Sequence, residues 1–142
     1  MKIFPVIKTE RLLLRQFGDA DLENVFKGLS HPDVIEYYGV SYQTLEATIE
    51  QMKFFADLIT NETGIWWAIC SLNDKTFYGA GGLNSLNKEQ QKAEIGFWLL
   101  PDYWGKGIMT EAMPAICNYG FHNLGLHRIE GFVETENSNC KN

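Results

Sequence analysis

The chain has 142 residues, enough for one domain with a core of its own. Apolar residues make up 45% and charged residues 21%, a balance unlike that of a disordered chain. The net charge of −6 argues against a nucleic-acid surface, which needs clustered Lys and Arg, and no apolar run approaches the length of a membrane span.

The opening run, MKIFPVIKTERLLLR, is broken by Pro5, Lys8, Glu10 and Arg11, so no signal peptide is expected. Arg11 to Phe17 (RLLLRQF) reads as a short strand. Asp19 can cap the next segment, where Leu22, Val25, Phe26 and Leu29 recur at i, i+3, i+4 and i+7, one face of a helix. His31-Pro32 ends it, because the residue before proline is steered out of helical angles. A second amphipathic helix runs from Thr44 through Leu45, Ile49, Met52, Ala56 and Ile59 to the polar TNETG.

The runs IWWAIC and FYGAGGL flank NDKT and predict an antiparallel hairpin. AEIGFWLL follows the polar loop NSLNKEQQK as a third strand. Its alternation places Glu94, Gly96 and Trp98 on one face, and Ile95, Phe97 and Leu99 on the other. A helix is expected from Met109 to Leu124, ended by Gly125, and a last strand over His127 to Val133. A helical crossover between strands makes those strands parallel. The expected class is therefore α+β: a mixed sheet with an antiparallel meander, a parallel strand-helix-strand unit, and helices on both faces. No internal repeat or linker divides it, so one domain over 1–142 is expected. Cys70, Cys117 and Cys140 are an odd number without CxxC spacing. That favours reduced thiols in a cytoplasmic protein over a disulfide framework or a metal site.

Between the third strand and its helix lies LLPDYWGKGIMTEA. Gly105 and Gly107 permit angles that turn successive N–H groups toward one point, and the following helix leaves its first amides without partners. With the positive end of the helix dipole behind it, this loop suits a phosphate or diphosphate. Lys106 can add a charge or lie in solvent. The plain alternative is a tight strand-to-helix turn. Neither GxxxxGK[ST] nor a strand-linked GxGxxG is present, so two other phosphate motifs are excluded. The loop's place, at the carboxyl end of a strand that pairs in parallel with the next, favours a ligand. GAGG, Gly79 to Gly82, reads instead as close packing or a bulge.

Four segments in order, RLLLR, AEIGFWLLPDYWGKGIMTEA, LGLHRIEGFV and ENSNCKN, resemble the GNAT superfamily of N-acetyltransferases, and within it the RimJ/RimL-type ribosomal-protein N-terminal acetyltransferases. The resemblance implies acetyl-CoA as co-substrate, with no metal. It places the diphosphate on Gly105, Lys106, Gly107, Ile108, Met109 and Thr110, beside Trp104, and the pantetheine arm along Phe97, Trp98 and Leu99, with Asn137 in contact. Cys140 stands where the family often has a serine, facing the departing sulfur. Asp102 departs from the family's Gln or Arg three residues before the first glycine. Family members also continue past Asn142, so a shortened C-terminus is expected, with an exposed last edge open to pairing in a homo-oligomer.

Acetyl transfer to an amine needs a base for the ammonium proton and donors for the developing oxyanion. Glu94 is the first candidate base, through water; the alternative is a structural carboxylate. The amide near Leu99 is the candidate oxyanion donor. Glu111 opens the helix, where an acid favours the dipole. Trp66, Trp67, Tyr37 and Tyr38 can line an acceptor cleft or fill the core. The expected acceptor is a primary amine, a protein N-terminal α-amine above all. The alternatives are a small-molecule amine or a non-catalytic acyl-CoA-binding module.

Overall fold

Apolar alternation along the strands fixes the architecture of the computed structural model, which describes residues 4–34 and 42–131. Among these, the strands form a sheet in chain order: β1 (Ile7–Lys8), β2 (Leu12–Arg15), β3 (Ile65–Ser71), β4 (Phe77–Asn87), β5 (Lys92–Leu99) and β6 (Arg128–Gly131). Neighbours are antiparallel except β5 and β6, which are parallel. Three longer helices accompany them: α1 (Leu22–Leu29), α2 (Leu45–Asn61) and α3 (Ile108–Asn123).

Strand β3 explains why both faces are covered. Ile65, Trp67 and Ile69 pack in one core with Ile108, Ala112, Met113 and Ile116 of α3. Trp66, Ala68 and Cys70 pack in a second core with Val25 and Leu29 of α1 and Phe55 and Leu58 of α2. Successive side chains point to opposite faces, so a strand apolar at nearly every position needs a cover on each side. On β5 the expected division holds. Ile95 and Leu99 join the α3 core, with Phe97 packed against it, and Trp98 joins the other. The glycines of β4 make room for this crowding: a Cβ on Gly82 would lie 2.3 Å from the Ile65 carbonyl oxygen.

Several expected details shift. Asp19 does not cap α1; it begins a single 3-10 turn, Asp19–Asp21, preceded by Gly18. Asp21 is the working carboxylate, accepting from the Gly18 amide at 2.8 Å and from both terminal nitrogens of Arg15. The carboxylate with a partly buried guanidinium partner is Asp21, not Asp19. The polar loop after β4 is also shorter than NSLNKEQQK suggests. β4 continues through Asn87 past an irregularity at Asn84 to Asn87, with Ser85 at φ 53°. Helix α3 starts one residue early, at Ile108, runs through Pro114, and is followed by Gly125 at φ +69°. The described part of the last strand is Arg128–Gly131; Phe132 and Val133 lie outside the described residues. Cys70 is a free buried thiol.

Candidate functional site

Strand β5 ends at Leu99, the chain makes one 3-10 turn over Pro101–Tyr103, and α3 begins at Ile108. Between them Gly105 and Gly107 sit at φ +75° and +76°, the left-handed region that costs other L-residues about 1–2 kcal/mol. Gly107 is the N-cap of α3 and has no side chain to accept from the first amides. Among the described residues no backbone carbonyl or side chain accepts from the amides of Gly105 to Thr110; the first amide of this end with a partner is Glu111, bonded to the Gly107 carbonyl at 3.2 Å. Six successive donors without a partner, at the positive end of a 16-residue helix, are an arrangement that can hold an anion.

The carbonyl side of the loop is occupied. Arg11, in the turn between β1 and β2, donates from Nη1 to the Lys106 carbonyl at 3.2 Å and from Nη2 to the Gly107 carbonyl at 3.1 Å. In a trans peptide unit the N–H points opposite to the C=O. The amides of Gly107 and Ile108 are therefore directed away from Arg11.

Arg11 is held by Glu111, in the first turn of α3. Its Nε donates to Glu111 Oε1 at 2.7 Å and its main-chain amide to Oε2 at 2.8 Å, and the Thr9 hydroxyl donates to the same Oε2. Burial alone raises the Glu111 pKa. The bonds from Thr9 and Arg11 outweigh it and hold the carboxyl below the ordinary glutamate value. Arg11 was not a candidate from the sequence, and Glu111 stood only as a dipole partner. A pair 100 residues apart leaves no periodic or local signal.

On β5 the hydrogen-bond phase is set at one end. The Leu100 amide donates to the Tyr78 carbonyl of β4 at 2.9 Å, and the Leu99 carbonyl accepts from the Trp104 indole at 3.0 Å. Backbone groups of alternate residues in an antiparallel strand face alternate neighbours. Phe97 and Leu99 thus turn their amides toward the β6 side. Among the described residues β6 pairs with β5 only from Lys92 to Ile95.

The candidate residues fall around these two rows of donors. Trp104, Gly105, Lys106, Gly107 and Thr110 are exposed. Ile108 is buried in the α3 core and Met109 packs against it, so these side chains anchor the turn while their amides stay unpaired. Trp98 is buried on the opposite face, its indole Nε1 without an acceptor among the described residues and its ring beside Gly28. Glu94 is half-buried on the α1 and α2 face, between Asn84 of β4 and Glu130 of β6 in register. It stands about 16 Å along β5 from Leu99, five residues at roughly 3.3 Å each. Asp102 is exposed in the 3-10 turn. Asn137, Cys140, Tyr37 and Tyr38 lie outside the described residues. Trp66 and Trp67 are core rather than cleft: both are almost fully buried, with indole donors on Asn84 Oδ1 and the Pro5 carbonyl. No group of three or more His, Cys, Asp or Glu among the described residues can hold a metal ion, and no described helix is long and apolar enough to cross a membrane.

The family model of the acetyltransferase (GNAT) domain matches residues 11–142. The uncharacterised N-acetyltransferase YoaA of Bacillus subtilis is 36% identical over 136 residues, which span 95% of this chain and 77% of that protein. A GNAT-family acetyltransferase structure from Bacillus anthracis aligns with TM-score 0.75 at 29% identity, covering 89% of this chain and 72% of the other. The structure of RimL, a ribosomal L7/L12 α-N-protein acetyltransferase in complex with coenzyme A, aligns with TM-score 0.79 at 18% identity over 94% of this chain and 77% of that one.

Proposed function

The chain belongs to the GNAT acetyltransferase family and is an acetyl-CoA-dependent N-acetyltransferase, and we propose that it acetylates protein N-terminal α-amines. The observation that carries the site reading is the set of unpaired amides from Gly105 to Thr110, backed by Arg11 on their carbonyl side. These donors fit a diphosphate, and their bare glycine Cα atoms let its oxygens come close.

Bound acetyl-CoA supplies an acetyl group activated as a thioester. The amides of Phe97 and Leu99 hold the pantetheine arm beside β5 and offer a donor where negative charge grows on the acetyl oxygen. Glu94, three residues before Phe97 on β5, is the base for the proton that the acceptor ammonium must lose before it can attack, reached through a chain of waters rather than by a single one. Asn137 and Cys140 enter on the family resemblance alone, as a contact to the arm and a proton partner for the leaving sulfur. Attack is direct, with no acyl-enzyme.

The α-amine reading rests on the resemblance of AEIGFWLLPDYWGKGIMTEA and ENSNCKN to the RimJ/RimL-type branch. A second reading, a small cationic amine, is favoured by the spermidine N(1)-acetyltransferase of Escherichia coli, 26% identical over 124 residues. Thiol release measured with peptides bearing a free α-amine, the same peptides N-acetylated, and spermidine separates the two. Activity only with the free α-amine supports the proposal; faster turnover of spermidine than of every peptide overturns it. Glu94→Gln is expected to lower kcat by about 10²–10⁴ with KM for acetyl-CoA little changed. An unchanged kcat removes Glu94 as base.

A further inference from the structure

We infer that Arg11, set by Glu111 and Thr9, is a positioning residue that presents the loop amides to the diphosphate of the acetyl donor. This rests on the reading of the loop given above. Two physical effects carry it, one geometric and one electrostatic.

The geometric effect is the grip of one planar fork on two successive peptide units. Both terminal nitrogens of Arg11 hold the carbonyls of Lys106 and Gly107, so the orientations of the Gly107 and Ile108 amides are fixed together. Two glycines at positive φ would otherwise leave these units the most mobile in the turn. Ordering them before the ligand arrives removes a cost that binding would have to meet. Lysine has a single nitrogen and cannot reproduce this fork while also pairing with Glu111.

The electrostatic effect concerns Glu111. A carboxylate in the first turn favours the helix dipole, yet it lies only three residues, about 4.5 Å along the axis, beyond Ile108. Left alone, its charge repels an anion held at the loop amides. Arg11 offsets it through its Nε at 2.7 Å and its main-chain amide at 2.8 Å. Thr9 completes the arrangement. Its hydroxyl donates to Glu111 and accepts from the Leu12 amide at 3.2 Å, and its own amide donates to the Leu12 carbonyl at 2.9 Å. The β1–β2 turn is thereby tied to the start of α3. A purely structural tie between the two would change stability without regard to which part of the ligand is present.

The test compares coenzyme A with pantetheine, which lacks the diphosphate and nucleotide, by calorimetric titration of the wild type, Arg11→Gln, Arg11→Lys and Arg11→Gln/Glu111→Gln. The Arg11 side chain is 52% exposed, so these variants are expected to fold, as circular dichroism checks. Arg11→Gln should lose about tenfold in affinity for coenzyme A and stay within about twofold for pantetheine. In turnover, KM for acetyl-CoA should rise by a similar factor while kcat at saturation holds. The double variant should regain about threefold over Arg11→Gln, because the unpaired carboxylate is gone. Arg11→Lys should fall between wild type and Arg11→Gln. Equal losses for the two ligands, or a double variant weaker than Arg11→Gln, overturn the positioning role. A wild type that binds coenzyme A no tighter than pantetheine overturns the loop reading itself. A wild type that discriminates, with Arg11→Gln discriminating equally, overturns only the role of Arg11.

Discussion

Two glycine clusters in this chain look alike on the page and differ in space. In GAGG, Gly79 and Gly82 lie within β4, where an added Cβ would fall 2.1 Å from the Trp98 carbonyl oxygen and 2.3 Å from that of Ile65. In GKG, an added Cβ on Gly105 would meet nothing within 4 Å, and on Gly107 only the Arg11 Nη2 at 3.4 Å. The first cluster is required by neighbours already present. The second is required by backbone angle alone and borders open space. A glycine kept by crowding belongs to the core; a glycine kept by positive φ beside unpaired amides belongs to a binding surface.

The largest expected effect comes from filling the crowded cluster. Gly82→Ala drives a methyl into the Ile65 carbonyl and the Trp66 backbone, in a strand paired on both sides. We expect a loss of about 3 kcal/mol, near the upper end for overpacking, and a Tm about 10 °C lower. Thermal unfolding checks it, and a Tm within 2 °C of wild type, on the order of assay scatter, breaks the comparison from the core side.

Next comes the open cluster. Gly105→Ala pays only the left-handed penalty, about 1–2 kcal/mol, so its Tm should fall by about one third to two thirds as much. Its affinity for coenzyme A should fall about tenfold, through the methyl itself and through relaxation of the turn. If Gly105→Ala costs as much stability as Gly82→Ala and leaves coenzyme A affinity intact, the two clusters are of one kind.

The smallest effect tests the support behind the open cluster. Glu111 has a carboxyl pKa held below its ordinary value, with Arg11 as the charged group facing it. Its contribution is complete above the unfolded glutamate pKa, about 4.3, and fades as pH falls through the lower folded value. Glu111→Gln should therefore be less stable than wild type at pH 7, by less than about 1 kcal/mol. The gap should close as the solution is acidified below about pH 4. Urea denaturation across that range checks it; a gap that widens in acid contradicts the assignment.

The clusters also mark how far the sequence could be read. IWWAIC was legible as a strand because a short run apolar at nearly every position calls for cover on both faces, and AEIGFWLL because its alternation separates two faces; β3 and β5 pack on both sides. The loop was legible because glycine before a helix start is local chemistry. Arg11 was not, since its partners lie 95 to 100 residues away and nothing in RLLLR distinguishes a loop clamp from a strand-end charge. The role of Asp21 was hidden for the same reason: its partner, Arg15, meets it through the fold and not through helical spacing. The extension of β4 through Asn87 was hidden by polar residues that the irregularity accommodates.

A crystal structure with coenzyme A bound tests the central claim most directly. Diphosphate oxygens should lie within about 3.2 Å of at least three amides between Gly105 and Thr110, with Arg11 still on the carbonyls of Lys106 and Gly107. A diphosphate seated elsewhere, with those amides turned to solvent or to the protein's own acceptors, contradicts the account.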